Sequence, residues 1–472
     1  MRSAARLLLA LLLAAAGPAA AQPRSPAYDR AIAAGYKALS LCGAMFNAGR
    51  TQAQAEALEL AGIYPEYDAI VPTLTAEVRS FSTESGEPGR ALDLRAAEIR
   101  VSFDAAMAPR IARWRLNEGC TILPIGDPGG DNAPATIVGN APARFAGSMD
   151  AQPWPLGDRG AAAAAPPALA APILRAFDGQ SYGTGRTTGV VVVQNGRIVG
   201  EHYADGFDMH TSQRTWSVAK SISGTLIGIA VREHLLRTDQ PAPIPEWRGD
   251  PRAAVRLDDL LRMASGLHSA TAGNRTDALY FGGTTVTQEA GYWPLEVRPG
   301  TRFRYANDDI LFAIRALRAA IGNDERYHAF PRTSLFRPLG MTRTIAETDA
   351  GGNFILSSQV WSTARDLARL GLLWLNDGVW QGRRILPEGW MHYMTTPSGP
   401  QPASGPGYGA TLWLFGPAQG LPAGSYAAQG NRGQYVMVVP SRNLVIVRRG
   451  EDGGDTRFDI ARFTADVIGA LP

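Results

Sequence analysis

Ser217 and Lys220, in the run Trp216-Ser217-Val218-Ala219-Lys220-Ser221, are the residues of this sequence best suited to breaking an acyl bond. A spacing of three brings both side chains to one face of a helix, within reach of each other. From Ser217 to Val231 the residues are apolar or small all round, and Lys220 is the only charge. A helix that is apolar on every side is a buried one. Burial disfavours an ammonium, so the lysine pKa falls toward neutrality and Lys220 can act as general base toward Ser217 as nucleophile. Unpaired N–H groups at the helix start favour the negative charge that develops there. The same spacing also suits a serine that caps the helix and a lysine that snorkels to water.

Support comes from elsewhere in the chain. Only two lysines, Lys37 and Lys220, stand among 46 basic residues. Arginine stays charged at any working pH and cannot accept a proton, so a lysine kept in an arginine-rich chain points to acid–base work. Downstream, Pro299-Gly300-Thr301-Arg302-Phe303-Arg304-Tyr305-Ala306-Asn307 leads into a helix at Asp308. Beside a lysine ammonium, Tyr305 is expected to hold a lowered pKa, relay a proton to the leaving group and then help activate water. Taken alone, Tyr305 also reads as a core aromatic and Asn307 as an N-cap.

Together these residues resemble the class C β-lactamase-like serine hydrolases, a group that includes family VIII esterases and 6-aminohexanoate-dimer hydrolases. Ser217-Val-Ala-Lys220 is similar to their first motif and Tyr305-Ala-Asn307 to their second. Leu257 to Leu267 resembles the segment between them. Ser362-Thr-Ala-Arg-Asp-Leu-Ala-Arg369 and Asn376-Asp-Gly-Val-Trp-Gln-Gly382 look most like the aminohexanoate branch. The likeness runs from Thr187 to Leu471. It implies a third element on a strand beside the nucleophile, which is Lys-Thr-Gly in β-lactamases. The best match here, Ala428-Gln429-Gly430-Asn431-Arg432-Gly433-Gln434, has neither Lys nor Thr. The resemblance therefore implies substrate and oxyanion positions at Asn307, Gly430, Asn431 and Gly433, with donors from the backbone N–H of Ser217 and of a residue near Asn431. Loss of the Lys and Thr that bind an antibiotic carboxylate turns the expectation from β-lactamase toward an esterase or amidase.

The elements that must position these residues read as α+β. Thr188 to Val193 and Arg197 to Tyr203 are β-rich and joined by Asn195-Gly196, a pair suited to two positive φ angles. Gln434 to Val439 and Leu444 to Arg448 form a second strand pair, and apolar spacing from Phe458 to Ile468 makes a closing helix. An antiparallel sheet built from both ends of the domain, flanked by helices and carrying a helical insertion, follows. A smaller N-terminal domain precedes it, with helical text from Arg90 to Arg95 onward. The Ala/Pro-rich run from Arg159 to Pro172 reads as a linker or surface crossing. The expected divisions are a signal peptide over 1–21, an accessory domain over 22–155 and the hydrolase domain over 156–472.

The start of the chain, with Arg2 and Arg6 before Leu7 to Ala16 and then Ala19-Ala20-Ala21, has the pattern of a secretory leader. A periplasmic or secreted location follows, and no membrane anchor is expected. In that oxidising setting Cys42 and Cys120 are expected to form a disulfide. The net charge of +3, dispersed without runs, gives no field for nucleic acid. The partner implied is a small ester or amide. The six histidines lie far apart with no metal-ligand spacing, no Gly-x-Ser-x-Gly elbow occurs, and no nucleotide fingerprint is met, so neither a metal nor any other cofactor is expected. Trp361, Trp374, Trp380, Trp390 and Trp413 are candidates to line an acyl pocket. Three readings stay open: a carboxylesterase or 6-aminohexanoate-oligomer-like amidase, a β-lactamase or D-amino-acid peptidase acting on cell-wall material, and a catalytically silent envelope binding protein. Neither the acyl group nor the oligomeric state is written in the sequence.

Overall fold

The computed structural model describes residues 25–62, 64–82, 94–129, 149–161, 165–268, 276–454 and 456–472. Residues 1–21, where a leader is expected, lie outside the described residues. Among those residues no helix is long and apolar enough to cross a membrane.

The N-terminal region opens with helix α1 (Pro26–Cys42), capped by Ser25, whose side chain accepts from Tyr28 N. It packs on an antiparallel sheet of strands β1 (Thr75–Ser82), β2 (Leu94–Ser102), β3 (Arg110–Arg115) and β4 (Gly119–Ile122), in that spatial order. The helix expected from Arg90 onward is instead β2 from Leu94. Ala97, Ile99 and Val101 alternate into the core and Arg100 points outward, a period of two that the Ala- and Arg-rich composition obscured. A disulfide joins Cys42 at the end of α1 to Cys120 in β4.

The larger part is built on a seven-stranded antiparallel sheet. After α2 (Pro167–Arg175) come β5 (Thr187–Gln194) and β6 (Arg197–Tyr203); the late strands are β7 (Gly407–Tyr408), β8 (Trp413–Phe415), β9 (Ser425–Gly430), β10 (Gln434–Val439) and β11 (Leu444–Gly450). Their spatial order is β7-β8-β9-β10-β11-β5-β6, so the two chain ends of the domain meet where β11 pairs with β5. Asn195 (φ 49°) and Gly196 (φ 77°) form the expected turn between β5 and β6. Pleating divides the sheet between two layers. Val190, Val192, Met437 and Ile446 face α2 and the closing helix Ile460–Ala470, whereas Val191, Val193, Val436 and Val447 face the helical layer. The Ala/Pro run read as a linker ends in α2, because Leu169 and Ile173, four apart, both enter the outer layer.

The helical layer holds α3 (Val218–Arg232), α4 (Asn307–Ile321) and α5 (Ala364–Leu375). Gly371 lets α5 lie on the sheet; a Cβ there would come 2.5 Å from Val445 Cγ1. The N-terminal region is fused to this layer in one apolar core. Arg110 Nη2 donates to the Phe281 carbonyl (2.6 Å), Tyr67 to Asp277 (2.7 Å), and Cys120 N to Glu347 (3.0 Å). Residues 149–161, where the domain division is expected, run along the hydrolase part: Asp150 pairs with Arg343 and Asp158 with Arg369.

Candidate active site

Ser217 stands at the N-cap of α3 without capping it. Its backbone is already helical (φ −68°, ψ −5°) and its side chain accepts no cap bond. The preceding residue, Trp216, is left-handed at φ 50°, a conformation that costs a bulky residue about 1–2 kcal/mol and persists only where its surroundings impose it. The Arg214 guanidinium lies 3.9 Å over the Trp216 ring and donates to Ser358 Oγ (2.8 Å), while Thr215 N bonds the Val360 carbonyl (2.7 Å). This turn brings the strand residues Gln213–Arg214 directly into α3. Ser217 is half-buried, whereas the helix behind it is fully enclosed.

Lys220 does not snorkel: it is 1% exposed. As an ammonium its Nζ donates to Asn307 Oδ1 (2.6 Å), to the Ser357 carbonyl (2.9 Å) and to Ser217 Oγ (3.0 Å). Burial brings its pKa down from 10.5 to about 7, with Asp308 pulling weakly the other way. A neutral amine has two N–H bonds and one lone pair. With Asn307 and Ser357 accepting the two N–H bonds, the lone pair is left facing Ser217 Oγ, the geometry needed for proton abstraction.

Tyr305 reaches the same spot from the loop before α4. Its hydroxyl is hydrogen-bonded to Ser217, and its ring centroid lies 5.1 Å from Lys220 Nζ. The expected lowering of its pKa does not occur. Burial raises it well above the ordinary range, the Ser217 bond offsets only part, and Tyr280 nearby adds to the rise. Tyr305 therefore carries its proton and suits donation. Asn307 is the first residue of α4, behind an N-cap at Ala306, and its side chain serves Lys220 rather than the helix end.

The third element forms the end of β9 and a short turn into β10. Gly430 passes so close to the start of α3 that a Cβ would sit 2.4 Å from the Thr215 carbonyl and 3.1 Å from Ser217 N. Asn431 is exposed, and its Oδ1 accepts from Arg432 N (2.9 Å). Gly433 lies on the other side of the turn, where its carbonyl accepts from Arg448 Nη1 (2.8 Å) and a Cβ would collide with that guanidinium. Of the four positions implied for substrate and oxyanion, Gly430 thus borders Ser217, Asn431 follows it at the exposed start of the turn, Asn307 holds Lys220, and Gly433 lies behind the turn.

Some residues at the site carry no visible sequence signal. Tyr280 bonds Ser357 Oγ (2.6 Å), and burial pushes its pKa up to about 12. Ser357 acts on Lys220 through a carbonyl that any residue type would supply. Trp413 lies against the Tyr305 ring (5.4 Å between centroids) and Tyr408 edge-on to it (6.1 Å). The other tryptophans do different work: Trp374 and Trp390 bond Thr225 and Gly224 on α3, Trp361 packs on Gly43, and Trp380 is buried near a hairpin. Spacing also hid one cluster, Asp150, Asp158 and His210, whose ligand atoms fall within 4.8 Å of one another. Arginine already occupies its carboxylates: Arg343 on Asp150 (2.6 Å), Arg369 (2.8 Å) and Arg365 (3.3 Å) on Asp158.

A serine and a buried lysine on one helix, packed against a five-plus-two antiparallel sheet at β9, define the β-lactamase class of fold. The chain belongs to that family: the Beta-lactamase family model matches residues 175–466. Its members are hydrolases of this fold, and the relatives divide among several activities. A 6-aminohexanoate-dimer hydrolase of Paenarthrobacter ureafaciens is 26% identical over 300 residues, covering 56% of this chain and 72% of its own. A family VIII carboxylesterase structure superposes with a TM-score of 0.52 at 15% identity, over 66% of this chain and 99% of that one. EstCE1, a hydrolase with promiscuous acyltransferase activity, gives a TM-score of 0.51 at 18% identity, over 64% and 98%.

Proposed function

We propose that this protein is an exported serine hydrolase that cleaves an ester or amide bond through an acyl-enzyme, acting as a carboxylesterase or as an amidase on linear aminoacyl oligomers. The observation that carries the reading is the Lys220 amine, buried, near-neutral and aimed at Ser217 Oγ. Neutral Lys220 takes the Ser217 proton as Oγ bonds to the substrate carbonyl carbon. The oxyanion is held by the Ser217 N–H and, since Arg432 N–H is spent on its neighbour, by the N–H of Asn431. The tetrahedral adduct collapses with its leaving group protonated by Tyr305, which recovers a proton from the Lys220 ammonium. Water then attacks the acyl-enzyme, gives its proton back through the same pair, and releases the acid and Ser217.

The dimer-hydrolase relative supports an amide substrate and the carboxylesterase neighbour an ester. A β-lactamase or cell-wall peptidase reading is disfavoured, because Arg432, the cation in the third element, is committed to Glu451 (3.1 Å) and cannot meet a substrate carboxylate. The disulfide and the leader pattern support export. Turnover of short p-nitrophenyl esters, linear 6-aminohexanoate amides, D-alanyl peptides and a cephalosporin tests the proposal. Hydrolysis confined to the esters or linear amides, and abolished in Ser217→Ala, is expected; cephalosporin turnover above ester turnover would overturn the substrate reading.

A further inference from the structure

Arg432 is the strained residue of the third element, left-handed at φ 57° and ψ 27° although not glycine. What holds it comes from two directions. Its Nε pairs with Glu451 Oε2 (3.1 Å), and its Nη2 donates to the Glu451 carbonyl (3.3 Å). Its Nη1 donates to the carbonyl of Glu59, in the N-terminal region (3.4 Å). Arg50, also N-terminal, bridges the two acids: it pairs with Glu59 and reaches Glu451 Oε1 (3.5 Å), which also accepts from Gln213 Nε2 (2.8 Å). All four charged groups are buried. Nearby, Gly454 N bonds the Gly62 carbonyl (2.7 Å), tying the chain after β11 to the N-terminal region as well.

These contacts meet behind the turn that follows Gly430, where the backbone leaves no room for a Cβ beside Thr215. Gly430 touches the backbone at Thr215 and Ser217, and the peptide N–H groups that follow it are fixed only as well as Arg432 is. A left-handed non-glycine residue persists where the surroundings over-determine it, and such residues concentrate where a backbone group must be aimed. We propose that the N-terminal region is a positioning device for the oxyanion-side turn: Arg50 and Glu59 lock Arg432 and Glu451, which fix the backbone donor opposite Ser217. This rests on the acyl-enzyme reading above. Arg432 is then a positioning residue rather than a catalytic one.

The test is the double variant Arg432→Met/Glu451→Gln in the full chain, which removes both members of the ion pair while Glu59 stays beside Arg50 and Arg449. The expected result is a fall in kcat of about 10- to 100-fold with KM within about threefold, and an acid limb of kcat/KM that stays where it was because Lys220 is untouched. Arg50→Met should give a smaller fall in kcat, restored in part by Arg50→Lys. Arg432→Gly, which adopts the same backbone without strain, serves as the second variant should the double one fail to fold, and should lose kcat in the same way. Unchanged kcat in folded Arg432→Gly or in the double variant would overturn the proposal. Ser217→Ala separates the two claims: if it retains activity the acyl-enzyme reading fails, whereas if it is dead while the Arg432 and Arg50 variants are normal, only the positioning role fails.

Discussion

Lys220→Met should make the protein inactive and, at the same time, change how its stability depends on pH. Burial brings Lys220 from 10.5 in the unfolded chain to about 7 in the folded one. The folded-state value is depressed, so between these values the unfolded chain binds more protons and stability rises with pH. At low pH both states hold the proton, and the folded protein bears the full cost of the buried ammonium, about 5 kcal/mol for a shift of this size. By about pH 9 the folded lysine is neutral and the cost has fallen to about 2 kcal/mol. Methionine titrates nowhere, so it removes this slope and leaves every other group in place. It also leaves Asn307 Oδ1 and the Ser357 carbonyl without their donor, an offset of about 1–3 kcal/mol each that does not vary with pH. The stability of wild type relative to Lys220→Met should therefore increase by about 2–3 kcal/mol from about pH 6 to about pH 9. Urea unfolding of the oxidised proteins at several pH values measures it. A flat difference would mean that Lys220 keeps an ordinary pKa and that the base assignment is unsound.

Asn307→Asp puts a carboxylate 2.6 Å from Lys220 Nζ; the acid limb of kcat/KM should move up by at least about one pH unit, so activity lost near neutrality returns at alkaline pH. Tyr305→Phe keeps the ring packing on Trp413 and Tyr408 and loses the proton donor. Its kcat should fall about 100- to 1000-fold with little change in melting temperature, and retention of full turnover would remove Tyr305 from the chemistry. Gly430→Ala forces β9 away from the Thr215 carbonyl, and steady-state kinetics should register a loss of at least about 100-fold in kcat.

The outer architecture was legible because its signals are local. Asn195-Gly196 fixes a hairpin by the φ angles it tolerates, and the unbroken run of valines in β5 suits a strand buried on both faces. The Ser217–Lys220 pairing was legible for the same reason, since three residues of helix determine it. What escaped is what depends on distant chain. The strand at Leu94 was hidden by helix-favouring alanines and arginines and is imposed by β1 and β3 on either side. The Tyr305 pKa runs opposite to expectation because burial of the phenol itself raises it, and burial is set by distant chain rather than by spacing. Ser357 acts through its backbone, and Tyr280 belongs to no motif at all. The joint role of Arg50, Glu59, Arg432 and Glu451 spans nearly the whole chain and follows from no spacing.

The central claim is that Ser217 is the nucleophile. Incubating the wild-type protein and Ser217→Ala with a fluorophosphonate, then mapping the adduct by peptide mass spectrometry, tests it most directly. One phosphonyl group on the peptide that holds Ser217 in the wild type, and none in Ser217→Ala, is the predicted result. Equal labelling of both proteins, or an adduct on another residue, would contradict it.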